Sequence, residues 1–271
     1  MGSPTMRAAR LASELRRARH AAGDWTVAAR DMAAALWSRR RWHPESASDP
    51  GPACADITVV LLPGILEPWS YLAPLARWLG RRGHRVEFVE TLGWNDADLE
   101  QSAERCLGVL RERGLRRVVL VAHSKGGLIG KAVLLRQGDE DLAVGLVAVA
   151  TPFGGSSVGR RLHRLVARSP LGLFSPGNAV LGGLAAELAV NARIVSLAPA
   201  WDQVIPDGSH LTGATNVDLA VGGHFRPLRD EAVWRLIHEH AHRRAEDAPE
   251  GPSRCGCPRS CEDPRSVRGG R

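Results

Sequence analysis

The residues best placed to do chemistry in this chain surround one serine. In Val118-Val119-Leu120-Val121-Ala122-His123-Ser124-Lys125-Gly126-Gly127 a β-branched run ends at the serine, and a helical pattern starts directly after it. A turn that abrupt strains the serine backbone, lifts its hydroxyl above the sheet edge and sets its amide near a helix amino terminus, where partial positive charge favours an oxyanion. Neighbouring backbones crowd such a turn, and Ala122, Gly126 and Gly127 keep it open. The chemistry implied is nucleophilic attack. The competing description of the same residues is a buried serine in a glycine-rich helix start. A second group, Cys255, Cys257 and Cys261, puts three thiols in a polar tail but lacks a fourth ligand at regular zinc spacing. No nucleotide loop, metal box or flavin fingerprint is present, so neither a cofactor nor a metal is expected.

Six short β-branched runs supply the elements that must hold the serine: Ile57 to Leu62, Arg85 to Val89, Arg117 to Val121, Ala143 to Val149, Arg193 to Leu197 and Asn216 to Val221. Helix-period segments lie between or after them, at Tyr71 to Arg82, Asp96 to Arg113, Gly126 to Arg136 and Leu228 to His242. This alternation is the signature of an α/β fold, a mostly parallel sheet of about six strands flanked by helices on both faces. The expected division is an Arg-rich helical arm and linker over 1–53, a catalytic domain over 54–243 and a disordered tail over 244–271 rich in Pro, Gly, Ser and charge.

The chain has 271 residues, 44% hydrophobic and 24% charged, which suits one globular domain with terminal extensions. Its longest apolar stretches, Ile57 to Leu66 and Leu142 to Ala150, are about half of the roughly 20 residues a membrane-spanning helix needs. The amino terminus lacks the unbroken apolar core of a secretory signal, and five scattered cysteines suggest no disulfide framework, so the expected location is cytoplasmic. The net charge of +7 is concentrated in residues 1–43, where nine arginines face only Glu14, Asp24 and Asp31. With Leu11, Leu15, Trp25, Met32, Leu36 and Trp37 beside them, those arginines suit peripheral contact with anionic membrane. A packed or solvated helical extension is the stronger expectation, because all but two of the chain's 36 basic residues are Arg and the bias is chain-wide. No nucleic-acid reading motif accompanies the charge.

From Ile57 to about His242, and above all in Ala122-His123-Ser124-Lys125-Gly126, the sequence resembles a bacterial lipase or esterase of the α/β-hydrolase superfamily. The alanine in place of the first glycine of G-x-S-x-G is a departure seen in some lipases of that family. The resemblance implies a triad in the order serine, acid, histidine. Ile194 to Pro206 is similar to the family's strand, turn, Asp, then apolar residue and Pro, which makes Asp202 the acid; Asp207 is the nearest competitor. After Val217-Asp218-Leu219-Ala220-Val221-Gly222-Gly223, His224 opens a loop similar to the family's Gly-His loop, with His210 as the fallback. His123 is read as structural, and His238, His240 and His242 as incidental occupants of a charged helix end.

The resemblance also implies an oxyanion hole made by the amides of Lys125 and Ile65, with Leu66 the weaker alternative for the second donor. Pro63-Gly64 stands where the family has His-Gly, which removes a side chain that often braces this loop. Thr151-Pro152-Phe153-Gly154 is similar to bacterial lipases and opens an inserted lid of about 154–190, whose Leu165, Leu171, Leu173, Phe174, Val180 and Leu181 are expected to line an acyl site. The implied activity is hydrolysis of carboxylic esters, small-molecule or lipid, through an acyl-enzyme. An acyltransferase using the same triad and a non-catalytic lipid-binding protein stay open as alternatives.

Overall fold

The computed structural model describes residues 4–38, 57–160, 173–175 and 177–247. Helix α1 (Pro4–Ser38) comes first. The α/β unit then runs β1 (Thr58–Leu62), α2 (Ala73–Gly80), β2 (Arg85–Phe88), α3 (Leu99–Glu112), β3 (Val118–His123), α4 (Lys125–Arg136), β4 (Ala143–Val149), α5 (Ala179–Ala186), β5 (Ile194–Ala198), β6 (Thr215–Asp218) and α6 (Glu231–Glu246). The six strands form one sheet in the order β2-β1-β3-β4-β5-β6, and every neighbouring pair is parallel. From β1 the chain first winds to the β2 edge and then returns past β1 to β3. That reversal leaves a crevice at the carboxyl ends of β1 and β3, where open α/β sheets bind ligands.

The inner strands β1, β3, β4 and β5 are apolar on both faces because both are covered. Val60, Leu62, Leu120 and Ala122 point toward α3 and α4, where Leu107, Leu110, Ile129 and Val133 meet them. Their alternates Val59, Leu61, Val119 and Val121 point the other way, to Leu75 and Trp78 of α2, Ile237 of α6 and Ala35 of α1. The period-2 alternation is therefore hidden inside continuous hydrophobic runs.

Capping sets the helix limits. Asp98 accepts the amide of Gln101 at 2.7 Å to start α3, and Asp230 accepts that of Ala232 at 2.8 Å to start α6. The helical pattern from Tyr71 opens as a 3₁₀ turn over Trp69–Leu72 and becomes α-helical at Ala73, with Pro74 in its first turn. Helix α6 runs to Glu246, three residues past the expected limit at 243. Strand β6 ends at Asp218, before the expected Val221. Beyond it the amide of Leu219 bonds to Ala198 O, and that of Ala200 to Val221 O, as the chain turns into the loop that carries His224. Cys255, Cys257, Cys261 and most of the expected tail lie outside the described residues.

Candidate active site

The serine sits where β3 meets α4, and its backbone is strained: φ 51°, ψ −121°. A non-glycine residue at positive φ costs about 1–3 kcal/mol and persists only where its surroundings fix it. Here the Ser124 amide donates to Val149 O at 2.9 Å, and its carbonyl accepts both the Gly127 amide and the Thr151 hydroxyl, each at 3.0 Å. The two glycines after it answer to specific neighbours. A Cβ on Gly126 would lie 2.3 Å from Leu62 O, and one on Gly127 would lie 2.0 Å from Thr151 Oγ1. The motif's small residues are thus demanded by β1 and by the loop after β4.

Asp202 and His224 come together on adjacent loops after β5 and β6. His224 Nδ1 donates to Asp202 Oδ2 at 2.7 Å with both side chains buried. The other carboxylate oxygen accepts the amides of Val204 at 2.7 Å and Ile205 at 2.8 Å. Burial opposes the charge on Asp202, but His224 and these two amides outweigh it and hold the carboxyl below its ordinary range. Asp207 accepts the Ser157 amide at 2.6 Å, and His210 pairs with Asp218 on the exposed surface. Neither competitor lines the cavity that Ser124 and His224 share.

Helix α1 supplies what the sequence did not announce. Asp24 is fully buried against the His224 loop, where its carboxylate accepts the backbone amides of His224 at 2.8 Å, Phe225 at 3.2 Å and Arg226 at 2.9 Å, and the Gln203 side-chain amide at 2.5 Å. A Cβ on Gly223 would lie 2.4 Å from this carboxylate, and one on Gly222 would lie 2.0 Å from the Trp201 indole nitrogen. The glycine pair before the histidine is the complement of Asp24 and Trp201. About two turns further along α1, Asp31 pairs with Arg229 at 2.6 Å, and Ala35 O accepts the Ser70 hydroxyl at 2.9 Å. The arm is packed on the α/β unit by its acids, while Leu15, Leu36 and Trp37 face outward.

The loop after β1 is held by Glu67 and Asn95. Glu67 accepts the Gly64 amide at 2.7 Å, and the Asn95 side chain donates to Pro63 O at 2.7 Å and Gly64 O at 3.2 Å. These contacts brace the loop where Pro63 replaces histidine. Lys125 extends beneath them, donating to Asn95 O at 2.8 Å and to Ala97 O, and its burial pushes the ammonium down to about 8. Glu67 also meets His123 Nδ1 at 2.9 Å, while His123 Nε2 lies 3.0 Å from His224 O. Burial disfavours charge on His123, but Glu67 and the His224 carbonyl raise it above the usual histidine range. Both ring nitrogens face acceptors, and the ring ties the β1 loop to the histidine loop. Its structural reading therefore extends to positioning. The amides of Ile65, Leu66 and Lys125 meet no acceptor among the described residues.

Above Ser124 and His224 lies a cavity of about 450 Å³, within the range that holds small organic ligands. Its walls are largely apolar, and they differ from those expected. Helix α1 supplies Trp25, Ala28, Ala29 and Met32; the β1 loop supplies Ile65 and Leu66. Of the lid residues, Phe174 lines the cavity, Leu181 is buried in the core beside α4, Val180 is exposed, and Leu173 borders a separate groove. Leu165 and Leu171 lie outside the described residues. Tyr71 also lines the cavity, and its buried hydroxyl has no partner among the described residues. Burial, with help from Glu67, raises its ionisation far above the usual range and keeps it a neutral donor.

No family model matches this chain, and no curated protein matches its sequence. Among solved structures it is similar to the mature form of the lipase BlEst2 from Bacillus licheniformis, with 16% identity and a TM-score of 0.58 over 70% of this chain and 93% of that one. An extracellular alpha/beta-hydrolase from a Paenibacillus species aligns with a TM-score of 0.52 and 18% identity, over 68% of this chain and 99% of that one. The alpha/beta hydrolase MGS-MChE2, from a metagenome of lagoon sediments at Mar Chica, Morocco, gives 0.52 and 16%, over 69% and 91%. Identities this low speak for the fold alone, and the fold, already drawn by the six parallel strands and their crevice, is that of the α/β-hydrolases.

Proposed function

We propose that the protein is a serine hydrolase of carboxylic esters with Ser124 as nucleophile, His224 as base and Asp202 as the acid that orients it. The observation that carries this reading is the buried 2.7 Å contact from His224 Nδ1 to Asp202, on a histidine that shares a cavity with a strained serine. A proton held on Nδ1 by a carboxylate leaves Nε2 as the acceptor, the tautomer a general base needs. His224 takes the Ser124 proton as Oγ attacks the ester carbonyl, and the resulting oxyanion is stabilised by the amides of Lys125 and Ile65. Collapse expels the alcohol with a proton from His224, and water repeats the sequence on the acyl-enzyme. Asp202 stays ionised throughout and stabilises the imidazolium.

The cavity walls favour an apolar acyl group, which Ser156, Val158, Gly159 and Phe174 enclose together with Trp25, Ala28, Ala29 and Met32 of α1. Trp25 and Leu66 are 53% and 50% exposed at the cavity rim, and Leu15, Leu36 and Trp37 lie outward on an Arg-rich helix. That surface supports peripheral contact with anionic lipid as the route to substrate. No helix among the described residues is long and apolar enough to cross a membrane. The test compares wild type with Ser124→Ala on p-nitrophenyl esters from acetate to palmitate. Loss of turnover in the variant, with an optimum above acetate, supports the reading. Full activity in the variant removes Ser124 from the mechanism, and acyl transfer to an added alcohol in preference to water favours the acyltransferase alternative.

A further inference from the structure

At the amino end of edge strand β2, away from the carboxyl end of β3 that carries Ser124, the fold gathers three histidines that the sequence scatters. His84 immediately precedes β2, while His238 and His242 stand one turn apart on α6. His84 Nε2 lies 2.7 Å from His238 Nδ1 across 154 residues of chain. The ring centroids are 4.9 Å apart for His84–His238, 5.0 Å for His84–His242 and 4.6 Å for His238–His242. One ring nitrogen from each of the three falls within 4.8 Å of the others. His84 is buried and the other two are half-buried, so one side of the triangle opens to water.

An i, i+4 pair projects two imidazoles from one helix face, the spacing used by helical metal sites. A nitrogen facing a nitrogen at 2.7 Å shares one proton between two rings, and neighbouring imidazolium charges would repel. A divalent cation instead satisfies the lone pairs of all three. Tetrahedral zinc with bonds of about 2.0–2.1 Å separates its ligand atoms by roughly 3.4 Å, a closure within reach of small side-chain rotations from the present spacing. An all-imidazole donor set suits zinc, copper or nickel and not magnesium or calcium. Arg82, whose charge acts on His238, is stacked over Trp78 at 3.3 Å and lies 3.9 Å from Glu231.

We propose that His84, His238 and His242 form a three-histidine site for a borderline divalent transition metal, zinc foremost, with a fourth position open to water. Because one ligand precedes β2 and two lie on α6, a bound ion clips the edge of the sheet to the last helix, and it does so without touching Ser124, Asp202 or His224.

The test uses the full, untagged chain with Cys255, Cys257 and Cys261 changed to Ser, so that tail thiols cannot bind. Co²⁺ is titrated by its visible absorption, Zn²⁺ is measured by competition with a chromophoric chelator, and Tm is followed with each. The expected result is one equivalent bound and a Tm that rises by roughly 5 °C or more at a hundredfold excess over Kd. In His84→Gln and His242→Gln, with circular dichroism confirming the fold, affinity drops on the order of 100-fold, while the control His210→Gln binds as the parent does. Absence of saturable binding by the parent, or affinity unchanged in both ligand variants, overturns the proposal.

Discussion

Replacing Asp24 tests whether a residue on the first helix governs chemistry 200 positions away. Asp24→Ala removes the acceptor shared by the amides of His224, Phe225 and Arg226 and by the Gln203 side chain. A buried donor left unsatisfied costs about 1–3 kcal/mol. His224 bears this in full, whereas Phe225 and Arg226 are half-buried and recover part of it from water, so the loss is about 3 kcal/mol. For a protein of this size that lowers Tm by roughly 6–12 °C. The loop that relaxes carries the proposed general base, and a displacement of about 1 Å at a reacting group costs on the order of 10²-fold in rate. Asp24 does not line the cavity, so the loss falls on kcat and leaves KM nearly unchanged. Asp24→Asn keeps a carbonyl acceptor and recovers part of both effects. The assay is p-nitrophenyl ester hydrolysis with active sites counted by a fluorophosphonate probe, alongside thermal unfolding. An Asp24→Ala protein that is destabilised but keeps the wild-type kcat per active serine refutes the positioning argument and leaves Asp24 a structural anchor.

Other outcomes follow from the same geometry. Gly126→Ala drives a methyl group to 2.3 Å from Leu62 O, an unyielding backbone atom; the expected result is a loss of several kcal/mol, read as a sharply lowered Tm or insoluble protein, and near-wild-type stability contradicts the tight approach of β1 to the elbow. Tyr71→Phe removes a buried hydroxyl that has no partner among the described residues, so stability is unchanged or higher by about 1 kcal/mol while kcat/KM for esters drops about tenfold; equal kcat/KM places the hydroxyl away from the substrate. Asp202→Asn lowers kcat by about 10⁴-fold by analogy with other triads. Because the folded pKa of Asp202 lies below its unfolded value of about 3.9, its contribution to stability is complete above that value and is lost as pH drops below it. The Tm difference between wild type and Asp202→Asn therefore narrows on acidification below about pH 4, and a difference that grows there contradicts the sign.

Residues whose placement is dictated by the local backbone were visible in the sequence. Ser124 stands out because a strand-to-helix turn requires small neighbours, and His224 because a glycine pair precedes it at the end of a β-branched run. The strand positions were legible to within a few residues, since buried parallel strands read as short apolar runs between helical patterns. Residues that act across the fold carried no such mark. Asp24 looks like one acid among arginines until α1 docks, Glu67 like one loop carboxylate until it meets Gly64 and His123, and His84 lies far along the chain from His238 and His242. The part of the cavity wall that α1 supplies was missed for a related reason: α1 has exposed apolar residues at Leu15, Leu36 and Trp37, while the face that docks carries Asp24 and Asp31 beside Ala28, Met32 and Ala35. Helical periodicity marks a face as apolar; it does not say that buried carboxylates will find amides and an arginine waiting for them.

The central claim, that Ser124 is an activated nucleophile, is tested most directly by covalent labelling. The native protein is treated with a fluorophosphonate, digested and analysed by mass spectrometry, with Ser124→Ala and His224→Ala treated in parallel. The expected result is a single adduct on the peptide carrying Ser124, absent in Ser124→Ala and strongly slowed in His224→Ala. A native protein that remains unlabelled, or an adduct formed equally fast without His224, contradicts the claim.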